Sequence, residues 1–350
     1  MPGPSPTTDP TPRILIVRLS AIGDTVHGLP VLNALRQRFA GGFLAWVVEE
    51  RAAALLRSHR ALDELITLPR AWWKSPAAVW RLRRRLRGLR FDVAIDVQGL
   101  TKSAVAAWLS GARRRIGFGD DKGRELSRLF YTERVHTTAR HIIDCNLQLL
   151  RPLGIESPEV RFDVPEPDSD GAAAEEMIRQ LGLEQGFAML NVGAGAPSKL
   201  WPPERFAAVA AHLGGAWGLP SMVVWAGVRE RAWAERIVAE AGGHARLAPQ
   251  TTLGQLAALA RRARLFVSSD TGPLHIAAAV GTPCVGLFGP WPAERNGPYG
   301  PQHIAIQERT FQGSARQRRN APPELMLAIT VPLVADACDR ILRRSAPPRA

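Results

Sequence analysis

The stretch Leu265-Phe-Val-Ser-Ser-Asp-Thr-Gly-Pro-Leu-His-Ile-Ala-Ala-Ala-Val-Gly-Thr-Pro-Cys-Val-Gly-Leu-Phe-Gly-Pro290 constrains the fold more than any other part of the chain. Residues 265–267 form a short apolar run of buried-strand character. Ser269, Asp270 and Thr271 are helix-capping types, and Pro273 suits a first helical turn. Residues 274–280 then read as a short helix, Gly281-Thr-Pro ends it, and residues 284–288 read as a second buried strand. Strand, capped helix, strand is the βαβ unit of a parallel sheet. Ligands of such sheets sit beyond the carboxyl ends of the strands, where helix N-termini point. That position here carries a carboxylate, a hydroxyl, free backbone N–H groups and His275 one turn in, a set able to hold a phosphate or a nucleotide sugar. The same residues could serve only as helix caps, and local chemistry alone weighs the two readings evenly.

The alternation runs through the whole chain. Residues 13–19, 43–48, 65–68 and 91–97 read as strands of an N-terminal doubly wound sheet, and residues 187–191, 221–225 and 265–267 as strands of a second. A length of 350 residues suits two domains, and 46% hydrophobic residues can fill two cores. Residues 156–171 are rich in proline and acid and mark the approach to the boundary. The expected division is a disordered leader (1–12), an N-terminal Rossmann-like domain (13–165), a C-terminal Rossmann-like domain (166–322), a C-terminal helix (323–343, read from Pro323 to Leu342) and a tail (344–350). Asp168-Ser-Asp170 matches the Asp-x-Asp of metal-dependent glycosyltransferases. It lies among turn formers, with Asp170 starting a helix, so no metal site is assigned. Gly193 and Gly195 lack the third glycine of a dinucleotide fingerprint, and no P-loop Gly-Lys-Ser/Thr follows. A glycine loop with one lysine, Lys199, remains, and a lysine there can neutralise a diphosphate.

Lys plus Arg number 45 against 32 Asp plus Glu, a net charge of +13 that favours an anionic partner. No nucleic-acid motif accompanies the charge, so nucleic acid is not assigned. In the predicted helix 79–90, Val79, Leu82, Leu86 and Leu89 share one stripe and six arginines cover the rest, with Trp72, Trp73 and Lys74 just before. Such a helix can lie on an anionic membrane, although an ordinary solvated surface helix is the default. Cys145, Cys284 and Cys338 are far apart and match no metal or disulfide spacing, which points to a reducing compartment. No apolar run approaches the roughly 18 residues of a membrane span.

Two doubly wound sheets with a cleft between them fit GT-B glycosyltransferases, some sugar-nucleotide epimerases and two-domain binding proteins. Three motifs together carry a resemblance: Val17-Arg-Leu-Ser-Ala-Ile-Gly-Asp24-Thr-Val-His-Gly-Leu-Pro30, Lys199-Leu-Trp-Pro202, and Asp270-Thr-Gly-Pro-Leu-His275 with Phe288-Gly-Pro290. They resemble the ADP-heptose:lipopolysaccharide heptosyltransferases of glycosyltransferase family 9 over residues 13–300. Trp46-Val-Val-Glu-Glu50 and Ala94-Ile-Asp-Val-Gln-Gly-Leu-Thr-Lys-Ser-Ala104 are similar to the heptosyltransferase I branch, which adds the first heptose to Kdo.

The resemblance implies an α/β GT-B architecture of two Rossmann-like domains facing a central cleft. The N-terminal domain would bind the acceptor and the C-terminal domain the nucleotide sugar. It implies an inverting, metal-independent transfer of heptose from ADP-heptose to the Kdo of the lipopolysaccharide inner core, with no cofactor. The partners implied are ADP-heptose, Kdo-lipid A and the anionic inner-membrane surface, met by a cytoplasmic monomer held peripherally there. Asp24 matches the family's general base and Lys199 its diphosphate-binding lysine. Asp270, Thr271, Gly272 and His275 match its donor motif. Glu230 falls near the acidic residue that holds the ribose, and Thr251 near a residue of the adenine pocket. Arg70, Lys74, Arg81 and Lys102 are acceptor-binding candidates by position. Ala194 and Gly195 stand where the branch carries a Thr-Thr pair facing the donor, and the loop Trp291-Pro-Ala-Glu-Arg-Asn-Gly-Pro-Tyr299 also differs, which leaves the donor sugar open. A family member with another donor or acceptor, a sugar-nucleotide epimerase and a non-catalytic binder are the alternatives.

A carboxylate near the acceptor hydroxyl can take its proton as the new bond forms, a contribution of order 10²–10⁴. Asp24 suits this; its plain alternative is to cap the helix holding Leu29. Lys199 and the helix N-terminus behind Asp270 can stabilise the departing diphosphate without a metal. His27, three residues past Asp24, could orient it.

Overall fold

A computed structural model describes residues 11–345, and the chain divides into two compact units between Asp163 and Val164. In the N-terminal unit six strands are all parallel: β1 (Arg13–Val17), β2 (Phe43–Glu49), β3 (Glu64–Leu68), β4 (Val93–Asp96), β5 (Arg114–Phe118) and β6 (Glu133–Val135). Their order is β3-β2-β1-β4-β5-β6. Leu15 of β1 sits in register with Ala45 on one side and Ala94 on the other. Ile14 to Val17 are wholly buried, as expected of a central parallel strand covered on both faces.

The C-terminal unit repeats the plan with β7 (Ala188–Asn191), β8 (Ser221–Val224), β9 (Ala245–Leu247), β10 (Leu265–Ser269), β11 (Cys284–Leu287) and β12 (Ile304–Ile306), in the order β12-β11-β10-β7-β8-β9. The two sheets thus share one winding scheme, the Rossmann order. In each, the winding reverses between the first and fourth strands, β1 and β4 or β7 and β10. Loops leaving those strands frame a crevice at the carboxyl edge.

The expected basic helix runs over Pro76–Gly88. Ser75 caps it, its Oγ accepting from the Ala78 amide at 3.3 Å. Leu82 and Leu86 are buried in a cluster with Trp72, Val17 and Val47, and Val79 and Leu89 pack at its margin. The apolar stripe therefore anchors this helix to the sheet and leaves the arginines outside.

Several boundaries differ from expectation. The leader reading of residues 1–12 falls outside the described residues up to residue 10. Pro12 already belongs to the sheet region, its carbonyl accepting from the Phe43 amide at 3.0 Å. The single helix expected over 323–342 is two, Glu324–Leu327 and Val331–Ser345. Pro332 lacks the N–H a continuous helix needs and its ring clashes with the preceding turn, so the break falls just before it. The second piece is no appendage: Val334, Cys338, Ile341 and Leu342 fill the C-terminal core. It continues through Arg344 to Ser345, where a tail was expected; residues 346–350 lie outside the described residues. The helix expected to begin at Asp170 spans Asp168–Gln180, with both aspartates in its first turn at the positive end of the helix dipole. No helix among the described residues is long and apolar enough to cross a membrane.

Candidate active site

The loop after β1 carries Asp24 in the first turn of a short helix, Ile22–Val26. The helix that holds Leu29 begins instead behind Gly28, so Asp24 does not cap it. Asp24 Oδ2 accepts from the Ala21 amide at 3.0 Å, and Oδ1 pairs with Arg18 Nη2 at 2.7 Å. Arg18 is buried while the Asp24 side chain is 44% exposed, so the carboxylate is gripped from behind and open in front. The Arg18 guanidinium also donates to the Val97 carbonyl, and the Leu19 amide donates to Gln98 Oε1 at 2.8 Å. These contacts lock the β1 loop to the β4 loop across the point where the winding reverses.

Behind the β4 loop lies a buried carboxylate, Asp96. It accepts from the Gln98 and Gly99 amides at 2.8 and 3.1 Å, from Ser103 Oγ at 2.8 Å and from the Tyr131 hydroxyl at 2.7 Å. Burial raises its pKa against those four bonds, and burial beside Asp96 pushes the Tyr131 phenol up as well. Lys102 stands beside this loop. Its ammonium donates to Glu49 Oε1 at 2.8 Å and Ser20 Oγ at 3.3 Å and lies 5.0 Å from the centre of the Trp73 ring. Of the acceptor candidates, Lys102 is thus brought near the Asp24 loop through Ser20. Arg70, Lys74 and Arg81 are exposed on and before the basic helix. His27 is buried, edge-on to His141 with ring centres 6.1 Å apart.

In the C-terminal unit the loops after β7 and β10 meet. Thr271 sits at the N-cap of the helix Gly272–Ala279, but its side chain makes no capping bond. Thr271 Oγ1 lies 3.0 Å from Ser268 Oγ and accepts from Asn191 Nδ2 at 3.3 Å. Asp270 faces the other way. Its Oδ2 lies 2.5 Å from Lys199 Nζ and its Oδ1 3.2 Å from His275 Nε2. Burial alone would raise the Asp270 carboxyl, but the His275 hydrogen bond and the Lys199 charge outweigh it, and its pKa is lowered. Lys199 also lies 4.1 Å from the centre of the Trp291 ring. Two partners therefore position one ammonium beside a helix N-terminus.

The Lys199 loop is held from below. Trp201 is buried and donates from Nε1 to the Ile329 carbonyl at 2.9 Å, and Ser198 Oγ donates to the Arg318 carbonyl at 2.8 Å. Glu230 Oε2 accepts from the Ala226 amide at 2.8 Å, and burial raises its carboxyl. A Cβ on Gly193 would lie 2.3 Å from that carboxylate, so Gly193 is glycine to admit Glu230 against the loop. Gly195 is exposed with open space where a Cβ would go, and Ala194 is half-buried. Thr251 is half-buried ahead of the helix Leu253–Arg262, which Thr252 caps through Gln255. Arg18, Glu49, Gln98, Asn191 and Trp291 were not singled out in the sequence. All but Asn191 lie inside quoted motifs or the quoted loop, so the sequence pointed to their segments without pointing to the residues.

Residues 79–326 match the model of glycosyltransferase family 9 (heptosyltransferase), and the chain belongs to that family. It is thus a glycosyltransferase of the heptosyltransferase class, with the α/β GT-B fold. Among relatives, the lipopolysaccharide heptosyltransferase 1 of Salmonella typhimurium is 29% identical over 303 residues, 84% of this chain and 93% of its own. That of Pseudomonas aeruginosa is 29% identical over 310 residues, 84% of this chain and 83% of its own. Among solved structures, the Escherichia coli heptosyltransferase WaaC with ADP superposes with a TM-score of 0.72 at 25% identity, over 95% of this chain and 99% of that one. WaaC has also been solved with ADP-2-deoxy-2-fluoro heptose, at the same score and identity.

Proposed function

We propose that this chain transfers a heptose from ADP-heptose to the Kdo of the lipopolysaccharide inner core, with inversion and without a metal ion. The observation that carries the donor half is the Asp270–Lys199–Trp291 arrangement at the lip of the second sheet. On this reading Asp270 and His275 are donor-positioning residues, and Lys199 with the N-terminus of the helix Gly272–Ala279 takes up charge on the departing diphosphate. That is the task a metal performs in Asp-x-Asp enzymes. Here Asp168 and Asp170 are spent in the first turn of a helix. Glu230, beside the glycine loop with Ala194 and Gly195, holds the ribose, and Thr251 lies at the adenine. The relatives' names, and the ADP-sugar found with WaaC, support ADP-heptose as donor.

The N-terminal unit takes the acceptor. Asp24, solvent-facing and paired with Arg18, accepts the proton of the attacking hydroxyl. Lys102, Arg70, Lys74 and Arg81 meet the anionic groups of Kdo-lipid A. The enzyme works as a monomer at the cytoplasmic face of the inner membrane. The test is release of ADP from ADP-heptose with and without a Kdo-bearing acceptor. ADP release that depends on the acceptor and disappears in Asp24→Ala is the expected result. Release without acceptor, or turnover that survives Asp24→Ala, would overturn it. A screen with UDP- and GDP-sugars in place of ADP-heptose separates this donor from others.

A further inference from the structure

The helices Pro76–Gly88 and Thr101–Leu109 and the 3₁₀ turn Ser127–Phe130 pack side by side as one layer on one face of the N-terminal sheet. Their inner sides are ordinary core: Leu82, Leu86, Ala106, Ala107 and Leu109 are buried together. Their outer sides are not ordinary surface. Eight large hydrophobic residues are exposed among the described residues, and five of them stand on this layer or at its entry: Trp73, Trp80, Trp108, Leu126 and Leu129. Leu129 is 72% exposed and Leu126 61%. Isolated exposed hydrophobics need no explanation, but a cluster on one face does.

The charge around them is mostly positive, although Lys122 stands beside Asp120 and the exposed Asp121 and Arg85 pairs with Glu64. Residues 72–90 carry seven Lys or Arg, residues 100–118 four and residues 122–130 three, with Glu125 the single acidic residue in all three segments. Arg83, Arg84, Arg113, Arg124 and Arg128 are exposed between the apolar side chains. The Arg84 guanidinium lies 5.5 Å from the centre of the Trp80 ring, and the rings of Trp108 and Phe130 meet edge-on at 6.3 Å. The layer is also tied to the Asp24 side of the unit: the Leu126 amide donates to Thr101 Oγ1 at 3.2 Å and the Arg124 amide to the Gly99 carbonyl at 2.9 Å.

We propose that this face docks on an anionic lipid bilayer, with Trp108, Leu126 and Leu129 entering the interface and the arginines meeting the headgroups. Tryptophan and leucine scattered among arginines match the two zones of a membrane surface, the apolar boundary and its negative potential. The excess of base over acid gives complementarity to anionic lipid. The basic helix is then one part of a wider platform, and the turn bearing Leu126 and Leu129 is the part that enters. The proposal takes its purpose from the lipid-anchored acceptor proposed above.

The experiment is sedimentation of the full chain with vesicles of phosphatidylcholine alone and of phosphatidylcholine mixed with phosphatidylglycerol, neither containing acceptor. The wild type is expected to bind the mixed vesicles and to lose binding as salt rises. Leu126→Ser with Leu129→Ser should weaken binding roughly tenfold or more, from the apolar area no longer inserted. Its melting temperature and its turnover on a delipidated, soluble acceptor should stay as in the wild type. Arg83→Gln with Arg84→Gln, in a separate variant, should flatten the salt dependence. Vesicle binding unchanged in the leucine variant overturns the proposal. So does a leucine variant that changes the mass seen by light scattering rather than vesicle binding, because the face would then hold a second copy. Binding to RNA displaced by these substitutions, with no vesicle binding, overturns it as well. Vesicle binding is read without substrates: a protein that binds as expected but turns over no heptose refutes the function proposed above, not this face.

Discussion

Asp24 and Asp270 both follow central strands of sheets with the same strand order, and they stand in opposite states. The Asp24 side chain is 44% exposed with one oxygen on Arg18; that of Asp270 is 8% exposed with both oxygens engaged by cationic or imidazole partners. A carboxylate that must receive a proton from a substrate has to be reachable. One that must fix a lysine has to be enclosed. The same residue type, at the lip of the same kind of crevice, is thus placed in two environments, which suit the two roles proposed above. In the N-terminal unit the enclosed carboxylate is Asp96, and it holds a loop of backbone amides where Asp270 holds an ammonium.

The largest separation of the two roles is expected in turnover. Asp24→Ala should lower kcat by about 10²–10⁴, the range for a lost general base, and leave the melting temperature within a few degrees. Steady-state rates with a thermal melt check both halves. A large loss of stability in Asp24→Ala would mean that its pair with Arg18 is structural and would collapse the contrast.

Asp270→Ala should do the reverse to stability. It leaves Lys199 half-buried beside a helix N-terminus without its anion, a cost of about 3–5 kcal/mol for breaking a buried pair, read by urea unfolding. The pH dependence follows from the lowered carboxyl pKa. The folded state then binds its proton less readily than the unfolded chain, so the contribution of Asp270 is complete above about pH 4, the free carboxyl value. It is lost as the pH falls through the folded value. Asp270→Asn should flatten that acid limb of the stability curve. An unchanged limb would show that the pair does not support the fold.

Tyr131→Phe tests the enclosed carboxylate of the other unit. It removes one of four donors from Asp96 and should cost about 1–3 kcal/mol in unfolding free energy. Because the same carboxylate holds the Gln98–Gly99 amides against the Asp24 loop, kcat should fall with little change in donor KM. A rise in donor KM instead would place the β4 loop on the donor side.

How much of this was legible in the sequence depends on how local each feature is. The central strands β1, β2, β4, β7 and β10 were readable because both faces are covered and the residues are apolar throughout. β5 begins Arg-Arg, and β6, β9 and β12 have three residues each. They form because a neighbouring strand offers a ladder, which no local pattern announces. The same division holds at the site. Asp24, Lys199 and Asp270 stand in motifs with capping residues and glycines, so their loops could be found. That Glu49 holds Lys102 and that Trp291 lies under Lys199 are contacts between segments far apart in the chain; Arg18 and Asp24 stand in one motif, and their pair depends on how the loop between them folds. Helix capping was the wrong local reading for Asp270 and Thr271, because stronger partners arrived from β7 and its loop.

The smallest expected effect on stability falls at the Ala194–Gly195 loop, where the resemblance implies a departure from the heptosyltransferase I branch. Gly193 and Gly195 flank Ala194, and only the first is dictated by packing. Gly193→Ala would press a methyl into the Glu230 carboxylate and should cost about 1–3 kcal/mol as an overpacking change, with weaker ADP binding. Gly195→Thr, made with Ala194→Thr, meets open space at position 195, and should change unfolding free energy by no more than about 0.5 kcal/mol. Its effect belongs to the donor: two hydroxyls added in the glycine loop should lower KM for ADP-heptose if that sugar is the substrate. Equal KM values in the two proteins, together with a lower KM for another ADP-sugar in the wild type, would show that the small loop was selected for a different donor.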